Sequence, residues 1–164
     1  MIQRIQSVYL LIAALLILLT LAYNFYEADI TVNDSTIEEV QVSALHFEYL
    51  HHDDPAVVYE ETPAYLLSLA LLGFLSAGGA IFLFQNRKLQ VKVVRVSILL
   101  TASKLLMVFF HYTTKVENMM EATVEDGTYG PALYFSVVAI VLLILAQRAI
   151  NKDEKLVRSA DRIR

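Results

Sequence analysis

The sequence contains no cysteine, which excludes disulfide frameworks, thiolate nucleophiles, zinc–thiolate sites and iron–sulfur clusters. It also lacks a glycine-rich phosphate loop, a nucleophile elbow and the helical motif of zinc proteases. At 164 residues it is one unit on a scale of about 150 residues per domain, too short for a catalytic domain joined to a membrane anchor. A formal charge of −4 argues against nucleic-acid binding. What the chain has in excess is apolar residues, 57% of the total against roughly 45–50% in soluble domains.

Four segments hold that excess: residues 7–25, 63–84, 93–112 and 131–147. Each is close to the length of a membrane-spanning helix, for which about 20 residues cross about 30 Å of hydrocarbon and about 17 are tolerated. The first (VYLLIAALLILLTLAY) and second are uncharged, the third contains Lys104 and His111, and the fourth runs into Gln147 and Arg148. The fold class expected is therefore an all-α integral membrane protein of four transmembrane helices in two hairpins. A signal peptide cleaved near Thr20-Leu21-Ala22 is the alternative for the first segment, although its apolar run exceeds the 7–15 residues of a signal core.

Charge sorts by loop. Arg4, the 85–92 loop with Arg87, Lys88 and Lys92, and the 148–164 tail are basic, whereas loops 26–62 and 113–130 carry acids and only Lys115 among Lys and Arg. Cytoplasmic loops retain Lys and Arg, so both termini are expected in the cytoplasm. Loop 26–62 alternates apolar and polar residues at Ile30 and Val32, at 40–42 and at 45–49, around a turn signal at Asn33-Asp34-Ser35. A small β-hairpin or three-stranded flap is expected there. Loop 113–130 is expected to be partly helical around 116–122, with a turn at Asp126-Gly127. The second and fourth segments open alike, PAYLLS and PALYFS, from tandem duplication or from a shared way of starting a membrane helix.

Three constellations bear on function. Ser97, Thr101, Lys104 and His111 fall on one helical face with Val108. This polar stripe suits a proton or anion path, a partner contact, or an inward lysine that fixes helix register. Gly73, Ser76, Ala77 and Ala80 form a small-residue face for close helix packing, within the chain or between two copies. His46, His51, His52, Asp53 and Asp54 contain metal-ligand chemistry, but consecutive residues of an extended chain point to opposite faces, so an exposed loop tip is the simpler reading. No catalytic residue, metal or cofactor is assigned. No aspartate lies in any span, which disfavours an intramembrane aspartyl enzyme. The tail continues the fourth helix, with an apolar edge of Leu156, Val157, Ala160 and Ile163 beside Lys155, Arg158 and Arg162. It suits an anionic headgroup layer or a docked protein.

The opening MIQRIQSVYL (residues 1–10), the central NRKLQ (86–90) and the closing DEKLVRSADRIR (153–164) together resemble the bacterial membrane family known as domain of unknown function 4293. The resemblance spans the chain and implies a four-span bacterial inner-membrane protein whose residues 1–10 are retained. It supplies no activity, cofactor or catalytic residue. The resulting expectation is an accessory or partner-binding protein with a cytoplasmic interaction face of Gln3, Arg4, Arg87, Lys88, Arg158, Asp161 and Arg162. Its partners would be an anionic lipid bilayer, a cytoplasmic or membrane protein, or further copies of itself. The competing expectation is a small transporter or ion-conducting oligomer using the polar stripe. An enzyme acting on a lipid-linked substrate comes third.

Overall fold

A computed structural model describes residues 3–32, 36–51, 57–112, 114–115 and 124–161. Helix α1 (Gln3–Leu19) leads into strands β1 (Asn24–Val32), β2 (Thr36–Ser43), β3 (Phe47–His51) and β4 (Val57–Glu61). Helices α2 (Ala64–Phe82) and α3 (Arg87–Met107) follow, then a π-helical turn (Val108–Tyr112), strand β5 (Val124–Tyr129) and α4 (Pro131–Asp161). The helices pack in a ring: α1 touches α2 and α4, and α3 touches the same two. Leu10, Ala13, Ile17, Ala77, Ala80, Val94, Ala139, Leu143 and Ile150 fill its centre.

The outer surface of this ring is apolar as well. Among the described residues, three helices are long and apolar enough to cross a membrane, at Ala64–Gln85, Arg87–Tyr112 and Pro131–Val157. Only 28%, 28% and 33% of their apolar windows are buried in the protein, so most of their side chains need an apolar surrounding that this chain does not supply. The apolar part of α1, Ile5–Leu19, is shorter. It ends well before residue 25 because Leu21 and Ala22 donate to the carbonyls of Leu18 and Leu19, tightening the last turn. The apolar residues beyond it serve the sheet: Phe25 is fully buried in β1.

The fold is mostly helical, as expected, but its β-element is larger than a hairpin or three-stranded flap. Five antiparallel strands run in the order β4-β3-β2-β1-β5. Tyr26 pairs with Val42 and Ala28 with Val40, while Val42 also pairs with Phe47. All five are buried, so the period-two pattern supplies one face of the sheet. A bulge between Asn24 and Tyr26 accompanies burial of the consecutive Phe25 and Tyr26. This face rests on Leu66 of α2, Val108 and Tyr112 after α3, and Ala132 and Leu133 of α4. The sheet thus covers one end of the bundle; the tight α2–α3 connection through Leu83–Gln85 marks the other.

Loop 113–130 contributes β5 rather than a turn at Asp126-Gly127, which pair with Asp29 and Ala28. The reason is steric as well as topological. A Cβ on Gly127 would lie 2.1 Å from the Tyr26 hydroxyl oxygen, so this glycine makes room for a ring rather than for a turn. A Cβ on Gly130 would lie 2.1 Å from the Asn24 carbonyl oxygen, and the Gly130 amide donates to Phe25 O at 3.0 Å. Main chain meets main chain there, where α4 begins. Leu45 and His46, expected in a strand, form the β2–β3 turn, closed by the Ser43 hydroxyl, which accepts from their amides. The expected turn at 33–35 and the expected helix at 116–122 lie outside the described residues.

Candidate functional site

The basic segments of the sequence lie at the turn end, where α1 starts, α2 passes to α3 and α4 finishes. Asn86 opens α3 by accepting from the Leu89 amide through Oδ1 at 3.2 Å, the usual way of satisfying a first-turn donor. The next residue, Arg87, reaches across to α4, its Nη2 lying 3.2 Å from Asp153 Oδ2. Gln90 is buried and donates through Nε2 to the Ala80 carbonyl of α2 at 2.9 Å. Gln6, also buried, donates to the Ala149 carbonyl of α4 at 3.2 Å. Side-chain amides therefore join α1 to α4 and α2 to α3, and an ion pair joins α3 to α4.

Of the expected interaction face, Gln3 and Arg4 lie on the first turn of α1, and Arg158 and Asp161 on the last turns of α4. Lys88 is exposed, Arg87 is turned inward to Asp153, and Arg162 lies outside the described residues. Gln6, Gln90 and Asp153 were not singled out by the sequence. The signal for the first two is spacing: Gln6, Leu10, Ala13, Ile17 and Thr20 recur at helical intervals, as do Gln90, Val94, Ser97 and Thr101, and every one is buried.

Near the sheet end, Lys104 occupies the last regular turn of α3 with none of its surface exposed. Its ammonium donates to Thr20 Oγ1 at 2.8 Å and lies 5.1 Å from the centre of the Phe25 ring, within cation–π range. Thr20 in turn donates to the Ile17 carbonyl at 2.6 Å. The lysine thus links α3 to the end of α1 and the start of β1, at the seam between bundle and sheet.

The remaining members of the stripe are used separately. Ser97 donates to the Gly73 carbonyl at 3.1 Å and Thr101 to the Ser97 carbonyl at 2.9 Å. His111 leaves the stripe and is exposed. The π-helical turn absorbs one more residue than an α-turn, so the inward positions after Lys104 are Val108 and Tyr112. Tyr112 lies 6.1 Å from Phe47 between ring centres, and His111 stands edge-on to Tyr112.

The small-residue face is in contact within the chain. Gly73, Ala77 and Ala80 are buried, and a Cβ on Gly73 would lie 3.6 Å from both Ile17 and Thr101 side chains. Ser76 is half-buried and donates to the Gly73 carbonyl. On the acidic side, Lys115 pairs with Glu61 and lies 4.8 Å from the centre of the Phe47 ring. His46 is exposed, with Nδ1 3.8 Å from Glu48, and His51 ends β3. Residues 52–54 lie outside the described residues, among which no group of three or more metal-binding side chains occurs.

The three segments at 1–10, 86–90 and 153–164, distant in sequence, thus supply Gln6, Arg87, Gln90 and Asp153 to one joint. A family model described as a domain of unknown function (DUF4293) matches residues 2–163. The chain belongs to this family. A search of curated proteins gives no match. In this DUF4293 member, the polar joint lies at the opposite end of the bundle from Lys104 and the sheet.

Proposed function

We propose that this protein is a four-span bacterial inner-membrane protein with both termini in the cytoplasm, acting as an accessory subunit that binds a partner at its cytoplasmic face. The carrying observation is the separation of charge along the bundle: basic segments gather at the turn end, and acids fill the sheet end. Two further features support the membrane part of the reading. The lipid-facing surface is formed by exposed Leu11, Leu15, Leu72, Leu75, Leu99, Val138 and Val141 among others. Exposed Tyr23, Tyr65, Tyr129 and Tyr134 gather near the sheet, as tyrosines do at a membrane–water interface. The apolar part of α1, Ile5–Leu19, is about 22 Å long, and the apolar Leu21, Ala22 and Tyr23 lengthen its path before β1 begins at Asn24.

In this reading Gln3, Arg4, Lys88, Arg158, Asp161 and Arg162 form the contact surface, and Arg87 orients the tail through Asp153. The cysteine-free chain allows a direct test of orientation with single substitutions and a membrane-impermeant maleimide. Glu48→Cys should label in intact spheroplasts and Ser159→Cys only after lysis; the reverse pattern would overturn the topology. For docking, affinity purification of the whole chain is compared with a truncation before Lys152. A partner list unchanged by truncation counts against a docking tail.

The transporter reading is favoured by one observation, the burial of a lysine with Thr20 as its hydrogen-bond partner. Against it, the stripe on α3 passes to apolar Val108 directly after Lys104.

A further inference from the structure

The cations of α3 divide by direction. Arg87 pairs with Asp153 and Lys104 is buried, but Lys88, Lys92 and Arg95 are exposed. Among the described residues these three have no ion-pair partner. At 100° per residue they fall within a sector of about 60°. Leu99 and Leu106, both exposed, occupy the same sector, on the side of the helix away from buried Gln90, Val94, Ser97 and Thr101. Lys88 and Lys92 are four apart and Arg95 three further on, with no acidic residue anywhere in α3, so the column repels itself.

From Lys88 to Arg95 the column rises about 10 Å along the helix, while the headgroup region on each side of a bilayer is about 5–8 Å thick. The cations therefore extend through the depth of that layer, and the leucines continue into hydrocarbon. We propose that this face of α3 is a binding site for an anionic phospholipid, its phosphate held by Lys92 and Arg95, with Lys88 above them and the acyl chains along Leu99 and Leu106. Charge complementarity selects the headgroup, and continuity with the apolar surface below selects a lipid over a soluble anion. The site rests on the membrane-spanning reading; Lys92 and Arg95, which hold the phosphate, lie outside the proposed contact surface for a docked protein.

The test uses the whole protein, extracted from vesicles of phosphatidylcholine containing a minor fraction of phosphatidylglycerol, with retained lipid measured by native mass spectrometry. The protein should retain phosphatidylglycerol above its bulk proportion. Lys92→Gln and Arg95→Gln, singly and together, should lower that enrichment about fivefold for each cation removed. Lys92→Arg with Arg95→Lys should keep it, and Lys152→Gln in the tail should leave it unchanged. Size-exclusion profiles and helical circular dichroism verify that each variant is folded. No enrichment in the unaltered protein, an equal loss from the tail variant, or displacement of the lipid by inorganic phosphate would each overturn the site. Release of the protein from membranes by an alkaline wash would instead overturn the membrane-spanning reading.

Discussion

At the turn end of the bundle the helices are joined by long polar side chains that reach main-chain carbonyls, Gln6 to Ala149 and Gln90 to Ala80. At the sheet end the joint is made of rings and glycines: Phe25, Tyr26, Phe47 and Tyr112 pack together, and Gly127 and Gly130 leave the room they need. A polar joint depends on a few directional bonds and tolerates small shifts. A packed joint has no free volume at its closest approaches, so a single added methyl group is felt at once.

Gly130→Ala breaks the contrast most severely. Its Cβ would meet the Asn24 carbonyl, and about 3 kcal/mol is expected, the upper range for overpacking. Gly78→Ala, with nothing within 4 Å of the added Cβ, should leave stability in place. Thermal unfolding in detergent, followed by near-ultraviolet circular dichroism, compares the two; equal transitions would remove the distinction.

Lys104 comes next, because it belongs to both kinds of joint. Lys104→Ala should cost about 3 kcal/mol by leaving a cavity beneath Phe25, in the range for buried large-to-small changes. Lys104→Met keeps the volume and should recover most of that loss. The same Met variant, reconstituted in liposomes, separates structure from transport: ion or proton flux in the unaltered protein that Met abolishes would favour the transporter reading. No flux under any ion or pH gradient would leave Lys104 as a structural link.

Single polar ties should matter least. Gln90→Leu is expected to cost about 1 kcal/mol by removing a buried donor from the Ala80 carbonyl. Lys115→Gln, at its partly exposed pair with Glu61, should cost under about 1 kcal/mol and depend on salt. Urea or thermal titration at low and high salt measures both, and a salt-dependent Gln90 effect would count against the assignment.

Much of the helical architecture was legible because apolar runs and their period are strong local signals. The sheet was legible only in part. The alternation at 40–42 reveals β2, but β5 holds Glu125, Asp126 and Gly127, which signal a turn until Tyr26 occupies the space above Gly127. That requirement is tertiary and leaves no local trace. Likewise, Phe25 belongs by composition to the first apolar run, and only the tight turn after Leu19 transfers it to the sheet. At Lys104 the sequence indicates a special residue but not its partner, since Thr20 is distant along the chain. A regular 100° step puts His111 on the face of Lys104, and the π-helical turn changes that step where the sheet meets the bundle. The turn-end joint was less legible again: Asp153 lies within a charged tail where nothing local marks it as the partner of Arg87.

Strands β1 and β5 lie side by side, and they lead from α1 and into α4, the helices that also lie side by side. A strand advances about 3.3 Å per residue and a helix 1.5 Å. One residue of slip between β1 and β5 would therefore displace α4 by more than two residues along α1. The sheet is in effect a depth gauge read at the far end of the bundle, setting which α4 carbonyl arrives opposite Gln6 and whether Asp153 comes level with Arg87.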